Sequence, residues 1–218
     1  MIFVIEKAWN WNNITSTHWN EPSEDIYYYL HLWSEKRNKK LLDLGAGIGR
    51  HSLLFAKNGF DVTAFDFSKE GLDKIENFAD QLNLEIDLVN GNMNRLPFAS
   101  QSFDFVVAYN SIYHTDYEGL IRTIYEIRRV LKANGEAFVT MLSKNDKSFI
   151  DGSGSLIAEN TLMKKEEDGS ILPHFFVDEE YIYKLFKSFH IISLKQIEEF
   201  HEDKTFFHYA IHLRKGDA

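Results

Sequence analysis

Residues 43–50, "DLGAGIGR", place an aspartate and three glycines between a short apolar run and a helical pattern. Asp43 closes the run, Gly45 permits a sharp turn, and Gly47 lets the backbone approach a ligand with no Cβ in the way; Gly49 allows close packing where the helix begins. Ala46 lies between the first two. The N–H groups and positive end of such a helix suit an anionic group. A dinucleotide fingerprint requires its third glycine three positions after the second, and that position is Arg50, so the spacing suits a ligand without a pyrophosphate. Asp66 ends the next apolar run, where a carboxylate can accept hydrogen bonds from both hydroxyls of a ribose, and Phe67 follows it. After the third run come Asn92 and Met93: an amide oxygen can accept from an adenine amino group, and a thioether side chain can cover the ring. Each also has a plainer reading, as a tight turn, a helix cap or a polar turn. Their recurrence at three successive strand ends favours the ligand.

The elements that must hold these residues follow from hydrophobic period. "KLLDLG" (40–45), "DVTAFD" (61–66), "LEIDLVN" (84–90), "FDFVVAY" (103–109) and "GEAFVTML" (135–142) read as buried strands, and helical patterns run between them. Ser68 can cap the helix carrying Leu72, Ile75, Phe78, Ala79 and Leu82 on one face, and Leu120, Ile124, Ile127 and Leu131 mark another helix. This alternation predicts an α/β protein: a Rossmann-like three-layer α/β/α sandwich on a seven-stranded, mostly parallel sheet with an antiparallel C-terminal strand. The reading divides one domain, 1–218, into an N-terminal helical cap (1–39), a core (40–142), a Gly-, Ser- and charge-rich insertion or lid without clear structure (143–177), and a C-terminal helix and hairpin that complete the sheet (178–218).

Composition narrows the function classes. The 218 residues carry 33 acidic and 24 basic side chains, a net charge of -9, which disfavours coating a phosphate backbone, so no nucleic-acid partner is expected. Cysteine is absent, which excludes disulfide scaffolds and thiolate chemistry and makes the cytoplasm the default compartment. No apolar run approaches the ~20 residues of a membrane span, so no membrane partner is expected either. Met1 to Ile5 is apolar but has no basic leader, so no signal peptide is expected.

The stretch 41–142 resembles the class I S-adenosylmethionine-dependent methyltransferases, in particular the broad small-molecule "type 11" group. "LLDLGAGIGRHS" is similar to the family's glycine-rich first motif and "DVTAFDFSKEGLDKI" to its second; "VNGNMNRLPFASQSFDFVVAYNSIYH" and "IRRVLKANGEAFVT" resemble the later ones. Two departures are Ala133 and Asn134 in place of the proline and first glycine of the usual "LKPGG", and Asn92 where aspartate is commoner. The resemblance implies S-adenosyl-L-methionine as cofactor, held by Asp43, Gly45, Ala46, Gly47, Gly49, Asp66, Phe67, Asn92, Met93, Tyr109 and Asn110. It implies direct in-line methyl transfer to a small-molecule acceptor.

A base is required only if the acceptor arrives protonated. His114, just past the fourth strand in "YNSIYH", is the candidate, with a merely packed, hydrogen-bonding histidine as the equal alternative. Trp11, Trp19, Tyr28, Tyr113 and His174 are candidates for the acceptor pocket, while Arg50 and His51 are expected on a helix surface or rim. His208 and His212 share a strand face, but no carboxylate pattern supports a metal, and none is expected. The alternatives are a non-catalytic regulatory protein that binds S-adenosylmethionine or S-adenosylhomocysteine and, further off, an RNA or protein methyltransferase. The chain is expected as a monomer or homodimer.

Overall fold

The apolar run Lys40–Leu44 forms β1, the central strand of the computed structural model, which describes residues 8–201 and 204–216. The reading of Met1 to Ile5 lies outside these residues, as does the start of the N-terminal cap. Successive side chains of β1 enter opposite faces: Leu42 and Leu44 join one core cluster and Leu41 the other. β2 (Asp61–Asp66) and β4 (Phe103–Ala108) flank β1 in parallel, with Leu41 opposite both Val62 and Phe105. β3 (Ile86–Asn90) lies outside β2, and β5 (Leu131–Ser143) lies outside β4.

The C-terminal hairpin completes this sheet. β9 (His190–His201) pairs antiparallel with β10 (Lys204–Arg214), and β10 pairs antiparallel with β5. The resulting order β3-β2-β1-β4-β5-β10-β9 gives the seven expected strands, with β10 alone reversed among them. The sheet nonetheless totals ten strands. The insertion read as lacking clear structure forms β6 (Ser155–Ala158), β7 (Thr161–Lys165) and β8 (Ile171–Val177), an antiparallel meander whose last strand joins β5 in parallel at Leu142–Phe176 and Ser143–Val177. Charged residues interrupt the apolar pattern there, and most of β6 is solvent-exposed, which removes the alternation by which a strand is recognised.

Helices cover both faces. α1 (Glu24–Ser34) and α2 (Arg50–Lys57) bury Ile26, Trp33 and Phe55 against one; α4 (Tyr117–Val130) and α6 (Glu179–Leu185) bury Leu120, Ile124, Ile127 and Ile182 against the other. α3 (Lys69–Leu82) packs Leu72 and Ile75 on Ala46 and Ala64, and its Ser68 hydroxyl accepts from the Gly71 N–H as expected of a cap. α5 (Lys147–Ile150) is a single turn after β5. Among the described residues no helix is long and apolar enough to cross a membrane.

One buried carboxylate ties α1 to the sheet. Glu136 on β5 accepts from Trp33 Nε1 at 2.8 Å and pairs with His212 Nε2 at 3.0 Å, with Arg214 at 3.6 Å. Burial alone would raise its pKa, but the bonds from His212 and Trp33 outweigh burial and hold it below the ordinary value. His208 takes a different carboxylate, Glu199, at 3.0 Å, so the two histidines of β10 serve separate pairs. Replacing Glu136 with alanine strands two buried donors and should cost about 3 kcal/mol in urea unfolding, whereas Trp33→Phe, which removes one of them, should cost less. Equal stability of Glu136→Ala and the parent would contradict this role.

Candidate active site

Strand order reverses between β1 and β4, so the chain leaves their carboxyl ends in opposite directions and opens a crevice there. The two loops meet closely: Ser111 Oγ donates to the Leu44 carbonyl at 2.7 Å, and a Cβ on Gly45 would overlap the Ser111 side chain. Asn110, held at a positive φ of 49°, donates its N–H to Thr140 Oγ1 at 2.7 Å, and its side-chain oxygen accepts from the same hydroxyl at 2.9 Å.

Asp66 organises the other side of the crevice. One carboxylate oxygen accepts from the Gly47 N–H at 2.8 Å, the other from the Ser68 N–H at 2.7 Å. Burial raises its pKa against the opposing effect of these bonds. Each oxygen retains a lone pair, so the group can still accept from a diol. Asp43, by contrast, turns inward: it accepts from Ser52 Oγ at 2.6 Å, and burial raises its pKa to about 6. The Asn92 side chain accepts from the Asn94 N–H at 2.8 Å, fixing the turn after β3.

A cavity lies over these loops. It is lined by Gly45, Ala46, Gly47, Asp66, Phe67, Asn92, Met93, Tyr109, Asn110 and His114, with Trp9, Trp11 and Trp19 forming its cover. The three tryptophans touch one another, with ring centroids 5.2 to 5.7 Å apart. Trp11 lies directly on the glycine loop, since a Cβ on Gly47 would sit 2.5 Å from its ring. Lys74 of α3 holds the Trp11 carbonyl at 2.7 Å. From the insertion, the β7–β8 turn clasps the same segment: Glu167 accepts from Trp19 Nε1 and the Ser16 N–H, and Asp168 accepts from the Asn10 N–H. Leu172 and Pro173 of β8 complete the wall.

His114 and Arg50 are the polar side chains whose setting matters most. His114 packs edge to face against His174 at 4.6 Å; burial first, and His174 second, push its pKa down to about 3. Such a group stays neutral near pH 7 and is a weak proton acceptor. His174 does not reach the cavity; its Nε2 pairs with Glu166 at 2.9 Å and its Nδ1 faces the Leu172 carbonyl. Tyr113 is likewise behind the wall, its hydroxyl 3.3 Å from His208. Tyr28 is 62% exposed on α1, because its neighbours Ile26 and Tyr29 take the buried face. Gly49 packs on Ile75 rather than lining the space.

His51 is buried in the wall and not on a rim, whereas Arg50 is partly exposed. Both line the cavity. The Arg50 guanidinium lies over the rings of Trp19 and Tyr109, donates to the carbonyls of His18 and Glu21, and has no carboxylate ion pair among the described residues; burial lowers its pKa. Position 50 begins α2 immediately after the glycine loop, and that placement was the available signal. Trp9, which belongs to the same aromatic cluster, lines the cavity beside Trp11 and Trp19.

Comparison with known proteins shows what this chain is similar to. Residues 41–135 match a family model described as a methyltransferase domain. The ubiquinone biosynthesis O-methyltransferase of Coxiella burnetii is 28% identical over 122 residues, 56% of this chain and 51% of that protein. The chain thus spans about half the length of such curated relatives. Among solved structures, a Methanosarcina mazei protein described as a SAM-dependent methyltransferase superposes with a TM-score of 0.77 at 22% identity, covering 91% of this chain and 100% of that one. The Burkholderia thailandensis 1,6-didemethyltoxoflavin-N1-methyltransferase, solved with its substrate and S-adenosylhomocysteine, superposes with a TM-score of 0.66 at 16% identity, over 89% of this chain and 78% of that one. Likeness at these identities establishes a shared fold.

Two outcomes follow from the geometry. Gly47→Ala, which forces a Cβ onto Trp11 at a φ of +57°, should loosen the N-terminal cover and red-shift tryptophan emission, while Gly59→Ala, whose Cβ would meet nothing within 4 Å, should leave emission unchanged. The second concerns pH. The native state excludes protonated His114 but the unfolded chain does not, so this term is complete above pH ~6.5 and drains as pH falls, by about 2 kcal/mol at pH 5. The stability lost between pH 7 and 5 should therefore be about 2 kcal/mol smaller in His114→Gln; identical losses would refute the burial of a neutral imidazole.

Proposed function

We propose that this chain, whose residues 41–135 match a methyltransferase domain, is a class I S-adenosylmethionine-dependent methyltransferase that transfers a methyl group directly to a small-molecule acceptor. The observation that carries the reading is the cradle at the strand-order reversal: a glycine loop that leaves no room for a Cβ at Gly45 or Gly47, with the carboxylate of Asp66 fixed beside it. These residues fit S-adenosylmethionine, and Asp66, with a lone pair left on each oxygen, would hold the ribose diol. Phe67, Asn92 and Met93 would take the adenine ring, and Asn110, Tyr109 and the loop backbone the methionine portion. Arg50, a half-buried cation without a carboxylate ion pair among the described residues, supplies the counter-charge for the methionine carboxylate.

When bound, the cofactor brings its own activated methyl group on a sulfonium leaving group. What remains for the protein is alignment and exclusion of water, and positioning of this kind is worth on the order of 7 to 11 kcal/mol. The tryptophans and the clasp from Glu167 and Asp168 provide the cover, so we read the N-terminal segment and the insertion as parts of one lid. His114 then acts as a neutral hydrogen-bonding wall of the acceptor chamber and not as the base. Asp43 acts through Ser52, by fixing the start of α2 beneath the loop.

Calorimetric titration tests the reading. S-adenosylmethionine and S-adenosylhomocysteine should both bind, and Asp66→Ala should weaken each about 100-fold, ~2.8 kcal/mol. No binding, or binding indifferent to Asp66, would overturn it; binding without turnover across amine, thiol, phenol and carboxylate acceptors would favour a regulatory protein.

A further inference from the structure

The cover of the cavity holds an unusual pair of atoms. Nε1 of Trp9 and Nε1 of Trp11 are buried and without a hydrogen-bond partner, although the two rings lie side by side at 5.2 Å and both line the cavity. The other indoles are satisfied: Trp19 donates to Glu167 and Trp33 to Glu136. A buried donor left unpaired costs about 1 to 3 kcal/mol, so two neighbouring ones in a cavity wall mark a place that receives hydrogen-bond acceptors. Trp11 itself is only 8% exposed, which leaves bulk water a poor substitute.

Charge narrows the occupant. Arg50 and Asp66 are the full charges on the cavity wall and cancel each other. The cofactor read into the site adds one net positive charge, because its amino and carboxylate groups balance and its sulfonium does not. Inside a covered, apolar space that surplus favours an anion as the third component and opposes an ammonium. Proton chemistry agrees. Glu166 is paired with His174 at 2.9 Å, and desolvation together with His174 holds the His114 pKa low, so among the described residues neither is a strong base for an alcohol or an amine.

Resting on the methyltransferase reading, we propose that the acceptor is a carboxylate carried on a flat apolar body, methylated on oxygen to a methyl ester. The indole N–H groups of Trp9 and Trp11 hold one carboxylate oxygen while the other faces the methyl carbon. A lone pair of that second oxygen forms the O–CH3 bond as the S–CH3 bond breaks and its electron pair returns to sulfur. The products are a neutral ester and a neutral thioether, so no proton needs to be removed. Opposite charges disappear in the step, which a low-dielectric chamber favours. The faces of Trp9 and Trp19, with Leu172 and Pro173, supply the apolar slot for the body.

The test uses the full chain saturated with sinefungin, an S-adenosylmethionine analogue that keeps a positive charge where the sulfonium sits but has no methyl group to transfer, titrated calorimetrically with phenylacetate and benzoate and with their uncharged or cationic counterparts, benzyl alcohol and benzylamine; S-adenosylhomocysteine is titrated separately as the cofactor control. The carboxylates should bind at least ten times more tightly than the alcohol or amine, and Trp9→Phe and Trp11→Phe, which keep a ring but remove the N–H, should each erase most of that preference while weakening S-adenosylhomocysteine far less. Equal or better binding of alcohol or amine overturns the inference, as does a loss in the phenylalanine variants confined to S-adenosylhomocysteine, which would assign the indoles to the cofactor. Failure of S-adenosylhomocysteine itself to bind overturns the methyltransferase reading and this inference together, whereas normal cofactor binding without carboxylate preference overturns this inference alone.

Discussion

The carboxylate of Asp66 is the point on which the site depends. Through Gly47 N–H it fixes the turn after β1, and through Ser68 N–H it fixes the start of α3, so one half-buried group sets two loops from adjacent strands. Neither bond alone is large, about 1.5 to 3 kcal/mol for a charged acceptor, but both are made where the parallel sheet has no other way to satisfy those N–H groups. The close approach of Gly45 to Ser111 across the reversal of strand order then closes the remaining side. The crevice is a consequence of topology, and Asp66 makes it a rigid one.

What covers the crevice comes from outside residues 41–135, the segment that matches the methyltransferase family model. The tryptophan-bearing N-terminus lies on the glycine loop, and the β7–β8 turn holds it by contacts to Glu167 and Asp168 that are largely exposed. Exposed polar contacts of this sort are individually weak. The cover can therefore rest on the site without being locked to it, which suits a cavity that must admit a ligand and then exclude water. On the proposed reading, the rigid cradle would hold the cofactor and the separable cover would choose the acceptor.

The cradle was legible in the sequence because its signals are local: glycines where a Cβ cannot fit, Asp66 at a strand end, Ser68 as a cap, and apolar runs of strand length at the spacing of a parallel sheet. The insertion was not legible. β6 and β7 pair by contacts whose side chains are partly exposed and charged, so no alternation marks them. Arg50 was misread for a related reason: an arginine opening a helix is ordinarily solvated, and its burial follows from Trp19 and Tyr109, which are distant in sequence and close in space. Tyr28 erred in the opposite sense, since aromatic type alone does not tell which face of α1 meets the sheet. His114 was placed correctly beside the cavity, but its reluctance to take a proton comes from burial and from His174, sixty residues along the chain.

On the proposed reading, residues 41–135 would cradle the cofactor and the tryptophan cover would meet the methyl group to be transferred. A crystal structure of the chain with S-adenosylhomocysteine measures this most directly. Both ribose hydroxyls should lie within hydrogen-bond distance of Asp66, and the thioether sulfur should face Trp9 and Trp11 beneath the closed cover. A ligand bound away from Asp66, or one whose sulfur points to open solvent with the tryptophans displaced, would contradict it.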